Sequence, residues 1–62
     1  MGKKELIDIA VQVKGETDSA YRIYDGKRTE WVPKSQCEVD RVGNNSYIAT
    51  MPEWLALEKG FI

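Results

Sequence analysis

The chain has no histidine among its 62 residues. The commonest general base and the commonest nitrogen ligand for metals are therefore missing, and any catalysis falls to carboxylates, lysines and one thiol. Carboxylates do come in close pairs, Glu5 with Asp8 and Glu38 with Asp40, which are the residue types of a general acid and its base. Such a pair works only in a concave pocket that excludes water, and a core of this size has no room to line one. No metal-ligand cluster and no phosphate-cradling glycine loop occurs in the sequence. The expectation is a protein that is not an enzyme, with no catalytic residue, cofactor or metal.

What remains is the chemistry of recognition. Lys34 and Gln36, in the polar turn after Pro33, would present a charge and an amide to a partner, as loops on rigid scaffolds often do. The plainer reading is a 3-10 turn joining two strands, with Ser35 satisfying a backbone group. Arg22, Tyr24 and Arg28 fall on the outer face of a hairpin, a basic and aromatic patch able to stack a base or pair a phosphate. Glu30 on that face competes for Arg22 and would leave a solvated ion pair of little worth. Trp31 and Trp54 have the size of interface anchors, yet so short a domain needs its largest side chains inside, so both are assigned to the core.

Nine Lys and Arg against ten Asp and Glu give a net charge of −1, which is not the footprint of a chain that binds phosphates along its whole surface. Cys37 is the one cysteine and has no internal partner, whereas a secreted domain of this length usually holds several disulfides. It reads as a small apolar strand residue of a reduced, cytoplasmic protein. No apolar run approaches the roughly 20 residues of a membrane span, and Gly2 lacks the Ser or Thr at position 6 that myristoylation asks for, Leu6 standing there.

Positions that could recognise a partner depend on the elements that carry them. Ile7, Ile9, Val11 and Val13 alternate with Asp8, Ala10, Gln12 and Lys14, the period of a half-buried strand. Residues 15–19 are turn-formers, and a second strand over 20–24 leads through Asp25-Gly26 into a third over 28–32. With a three-residue loop, Tyr24 faces Arg28, Ile23 faces Thr29, Arg22 faces Glu30 and Tyr21 faces Trp31, so that charges pair on one face and aromatics on the other. Pro33 ends the third strand, 37–42 and 46–51 form a fourth and fifth around Gly43-Asn44-Asn45, and a helix runs from Pro52 at its first position to Lys59, closed by Gly60 with Phe61 folding back onto it.

Five short strands without room for crossovers exclude a parallel α/β sheet. The expected fold is a single mainly β domain over residues 1–62, a five-stranded antiparallel SH3-like barrel with a short C-terminal helix; an OB-like barrel is the alternative. Stability should be modest, roughly 3–5 kcal/mol.

Trp31 to Gln36, W-V-P-K-S-Q, and Pro52 to Gly60, P-E-W-L-A-L-E-K-G, resemble motifs of a group of small uncharacterised proteins of bacterial genomes and their phages. That group runs E-T-E-K-A before the second strand, where this chain has Glu16-Thr17-Asp18-Ser19-Ala20, and ends in Leu where this chain has Phe61. The resemblance implies a phage or mobile-element setting. The function expected is a protein-interaction module, an accessory or inhibitory factor acting on a host or phage protein, with a nucleic-acid-binding barrel as the alternative and homo-oligomeric assembly left open.

Overall fold

A computed structural model describes residues 5–62. In chain order they form β1 (Leu6–Glu16), β2 (Ala20–Tyr24), β3 (Thr29–Pro33), a 3-10 turn (Lys34–Gln36), β4 (Glu38–Gly43), β5 (Ser46–Pro52) and α1 (Glu53–Lys59). The five strands make one antiparallel sheet in the order β3-β2-β1-β5-β4. β3 and β4 end it on either side, so the sheet is not closed.

β1 carries the architecture because two partners share it end to end. Its first half pairs with β5, from Leu6 opposite Pro52 to Val11 opposite Tyr47, and its second half pairs with β2, from Gln12 opposite Tyr24 to Glu16 opposite Tyr21. A register shift between Val13 and Gly15 marks a bulge, which increases local twist and turns the β2–β3 half away from the β5–β4 half. The alternation read from the sequence holds along β1: Ile7, Ile9, Val11 and Val13 face inward and Asp8, Ala10, Gln12 and Lys14 outward. On the inner face, Val11, Ile23, Val32, Cys37, Ala49, Met51, Leu55, Ala56 and Phe61 form one buried cluster.

The β2–β3 hairpin differs from the sequence expectation by one residue. Tyr24 faces Thr29, Ile23 faces Glu30, Arg22 faces Trp31 and Tyr21 faces Val32. The loop is therefore Asp25–Arg28, in which one Asp25 Oδ1 accepts the amides of Lys27 at 2.8 Å and Arg28 at 2.9 Å, while Asp25 N donates to the Arg28 carbonyl. These amides, Arg28's foremost, hold the Asp25 carboxyl below its ordinary pKa. A one-residue slip exchanges the faces of every side chain on a strand. It places Val32, fully buried, where Trp31 was expected, and sends Trp31 outward. Burying a compact valine opposite Tyr21, in one cluster with Ile23, fills this narrow core without forcing an indole into it.

α1 begins one residue later than expected, because Pro52 still pairs with Leu6 and takes an extended conformation as the N-cap. Glu53 N donates to the Glu5 carbonyl at 2.8 Å, fastening the helix start beside the start of β1. Gly60 adopts φ 83, ψ 18; its amide bonds to the Leu57 carbonyl at 3.1 Å and that of Phe61 to the Ala56 carbonyl at 2.8 Å. These are the two bonds of a Schellman ending, and they turn Phe61 into the core as the sequence suggests.

Two outcomes follow for stability. Leu55, Ala56 and Phe61 supply three of the nine core residues, and a seven-residue helix has no stability away from that contact. Deleting residues 53–62 should abolish the cooperative urea transition; a truncated chain that still unfolds sharply near the full-length midpoint would make the helix an appendage. Gly60→Ala should cost about 1–2 kcal/mol by chemical denaturation, since φ at this position is one that a Cβ resists.

Candidate docking surface

Of the five positions singled out by sequence, three are committed within the fold. Lys34 Nζ donates to Glu16 Oε2 at 2.6 Å and lies 4.9 Å from the centre of the Tyr21 ring, so the turn after Pro33 is bound down onto β1 and β2. The hydrogen bond to Glu16 raises the Lys34 pKa against the opposing cost of desolvation. Arg28 leaves the hairpin face altogether, its guanidinium donating to the Lys59 carbonyl at 3.3 Å and sitting 3.6 Å from Glu30. It thus sets a cation on the negative end of α1, a favourable placement. Tyr24 stays on the outer face, but its hydroxyl donates to the Gly26 carbonyl at 3.0 Å and Lys14 Nζ stands 5.4 Å from its ring centre.

Arg22 and Gln36 make no side-chain hydrogen bond or ion pair among the described residues and are exposed. Arg22 does not meet Glu30, contrary to the sequence expectation; it stands opposite Trp31. The Lys34–Gln36 segment is the 3-10 turn expected, although no side chain caps it.

The residues that sequence reasoning placed wrongly are the tryptophans. Trp31 is 46% exposed and Trp54 is 49% exposed, neither belonging to the core. For Trp31 the cause is the register. For Trp54 it is the helical angle: turning Leu55 and Ala56 inward leaves Trp54 on the opposite side with Leu57 and Glu58, and a wheel over 53–59 contains that signal.

Each indole borders a groove. Trp31, Ala20, Pro33 and Asp18 line one of about 520 Å³; Trp54, Leu6, Pro52, Gln36 and Glu38 line another of about 500 Å³. Lys34 and Ser35 belong to both, so the 3-10 turn is the ridge between them. Cys37 forms part of the second floor; burial, and then the nearby Glu38, pushes its thiol pKa up, which keeps it protonated and unreactive.

The outward side chains of the strands are divided by charge, although Asp18 stands exposed beside Trp31. Around β2 and β3 the surface carries Lys14, Arg22 and Lys27 with the aromatic rings of Tyr24 and Trp31. On the β1–β5–β4 half it carries Asp8, Glu38 and Asp40, with Glu53 on the helix beside Trp54.

The chain matches no family model, no curated protein and no solved structure. Among the described residues no three His, Cys, Asp or Glu side chains are grouped to hold a metal ion, and no helix is long and apolar enough to cross a membrane.

Lys34 gives the surface a pH signature. Folding raises its pKa, so its stabilising contribution is complete below the ordinary lysine value of 10.5 and is lost as pH rises through the folded value. Wild type should lose more stability between pH 9 and strongly alkaline pH than Lys34→Met does, measured as the difference between two melting curves. Parallel decline of the two proteins would show that the Glu16 bond contributes nothing.

Proposed function

We propose that this domain is a non-enzymatic protein-interaction module, an SH3-like small barrel by type, and that its docking surface is the pair of grooves flanking the Lys34–Gln36 turn. One observation carries the reading: a chain short of core material leaves both of its tryptophans half exposed, each beside a groove. Burying the exposed half of each would be worth about 2–3 kcal/mol by area, and the fold does not take that gain. Tryptophan is among the side chains that interfaces most often use as anchors. The barrel type is supported by the long β1 shared between two halves of the sheet and by the 3-10 turn that links the edge strands. The resemblance of W-V-P-K-S-Q and P-E-W-L-A-L-E-K-G to small phage and bacterial proteins leads us to place the partner among host or phage proteins.

A second reading has its own observation. Arg22 beside Trp31, and Lys14 over Tyr24, put cations and stacking surfaces on one face, which is what a single-stranded nucleic acid would use. The acidic half of the surface and the net charge of −1 weigh against it.

The two readings separate in one set of variants. Trp31→Ala and Trp54→Ala should fold with losses well below the about 3–5 kcal/mol typical of a buried tryptophan. On the interaction reading, Trp54→Ala releases the captured partner protein, and single-stranded DNA does not bind at low salt. DNA affinity that falls with Arg22→Ala and with added salt, untouched by Trp54→Ala, would establish the second reading instead.

A further inference from the structure

The docking reading leaves the chemistry of the partner open, and the β1–β5–β4 face narrows it. Outward side chains fall there in rows: Leu6 with Pro52, then Asp8 with Thr50 and Glu38, then Ala10 with Ile48 and Asp40. Trp54 and Gln36 close the groove over the first row, and Leu6 stands 65% exposed at its rim. The groove, apolar at Leu6, Pro52 and Trp54, therefore runs directly onto a row with a carboxylate at each end, whose Thr50 and Glu38 line it too.

Those carboxylates are not neutralised from within the described surface. Asp8 Oδ1 accepts a hydrogen bond from Thr50 Oγ1 at 2.7 Å, a neutral donor that orients it and leaves its charge. Lys34, the one cation among the described residues that line this groove, is bonded to Glu16. Arg41 belongs to the opposite face, in the row of Val11 and Tyr47, and its guanidinium donates to the Gly43 carbonyl. Glu53 adds a further negative charge beside Trp54.

We infer that this groove receives a segment of another protein in which an apolar side chain is flanked by lysine or arginine; the inference rests on the docking reading above. Adjacent rows on a strand lie about 7 Å apart, two residues at the usual rise, and the same spacing separates alternate side chains of an extended ligand. An apolar residue seated between Leu6, Pro52 and Trp54 therefore brings a cation two positions along to Asp8 and Glu38. A phosphate backbone meets repulsion on the same rows, so the groove selects against nucleic acid.

The test uses capped pentapeptides as probes and the fluorescence of Trp54, isolated as the one tryptophan of a Trp31→Phe variant of the full chain. Lys-Ser-Leu-Ser-Lys should shift the Trp54 emission saturably, with affinity falling at least about fivefold between low and high salt as exposed charges are screened. Glu-Ser-Leu-Ser-Glu and Lys-Ser-Ser-Ser-Lys should each bind at least about tenfold more weakly, the first for charge and the second for the missing anchor. Glu38→Gln combined with Glu53→Gln, both exposed positions, should weaken the first peptide without moving the melting temperature. Equal binding of the Glu and Lys peptides would overturn the basic partner while leaving the docking reading intact. Marked tightening when Lys3 and Lys4 are replaced by Ser would assign the acidic rim to the chain's own amino end and overturn the proposal. If no peptide and no captured protein perturbs either tryptophan, the docking reading falls with it.

Discussion

β1 is required to be two strands at once. Eleven residues serve β5 with one half and β2 with the other, and both remaining strands hang from those two pairings. A chain of 62 residues has few alternatives: it needs a surface folded over itself to enclose a core, and one long bent strand makes two sheet halves from a single element. The bulge between Val13 and Gly15 is what lets the halves diverge while Ile7, Ile9, Val11 and Val13 keep facing inward on both. Every later choice, including which face Trp31 occupies and where α1 lands, follows from the direction in which β2 and β5 leave that strand.

The helix answers the other half of the problem. An open sheet of this size exposes its inner face, and Leu55, Ala56 and Phe61 cover part of it by adding to the same buried cluster as Met51 and Val32. Covering consumes surface chemistry as well as apolar area. Arg28, free on paper to meet a phosphate, is drawn to the Lys59 carbonyl at the end of α1, and Lys34 is drawn to Glu16 across the hairpin. The basic character of the chain is thereby partly spent inside the fold, and the unneutralised charge on the β1–β5–β4 side is acidic. Counts of lysine and arginine do not reveal this; only their partners do.

Much of the architecture was legible in residue pattern. The period-two run of β1, the hairpin signal Asp25-Gly26, the stop at Pro33 and the Gly60-Phe61 helix ending each act over a few residues, and such signals survive into the fold. The register of β2 against β3 did not, because pairing charges and aromatics across strands yields less than 1 kcal/mol or so per pair, and burial of Val32 outweighs it. That single residue of slip relocated Trp31, separated Arg22 from Glu30 and dispersed the Arg22–Tyr24–Arg28 patch. The grooves were less legible: Gln36 and Lys34 line one of them, Lys34 also bracing the turn to Glu16, while Trp54 was assigned to the core because its size was taken to demand burial.

That assumption fails in an instructive way. In a large domain an indole is nearly always worth burying, since the core can be shaped around it. Here the buried strand positions are filled by Val11, Ile23, Val32, Ala49 and Met51, none of them aromatic, and Leu55, Ala56 and Phe61 pack onto them from the helix end. A tryptophan inserted between them would push the halves apart and cost the backbone pairing that defines the fold. The constraint that makes β1 efficient therefore drives the largest side chains outward, to the margins of the one turn that bridges the sheet's edges, where each lines a groove that it does not fill. Exposed indoles and core economy are, in a domain this small, two consequences of the same limit on width.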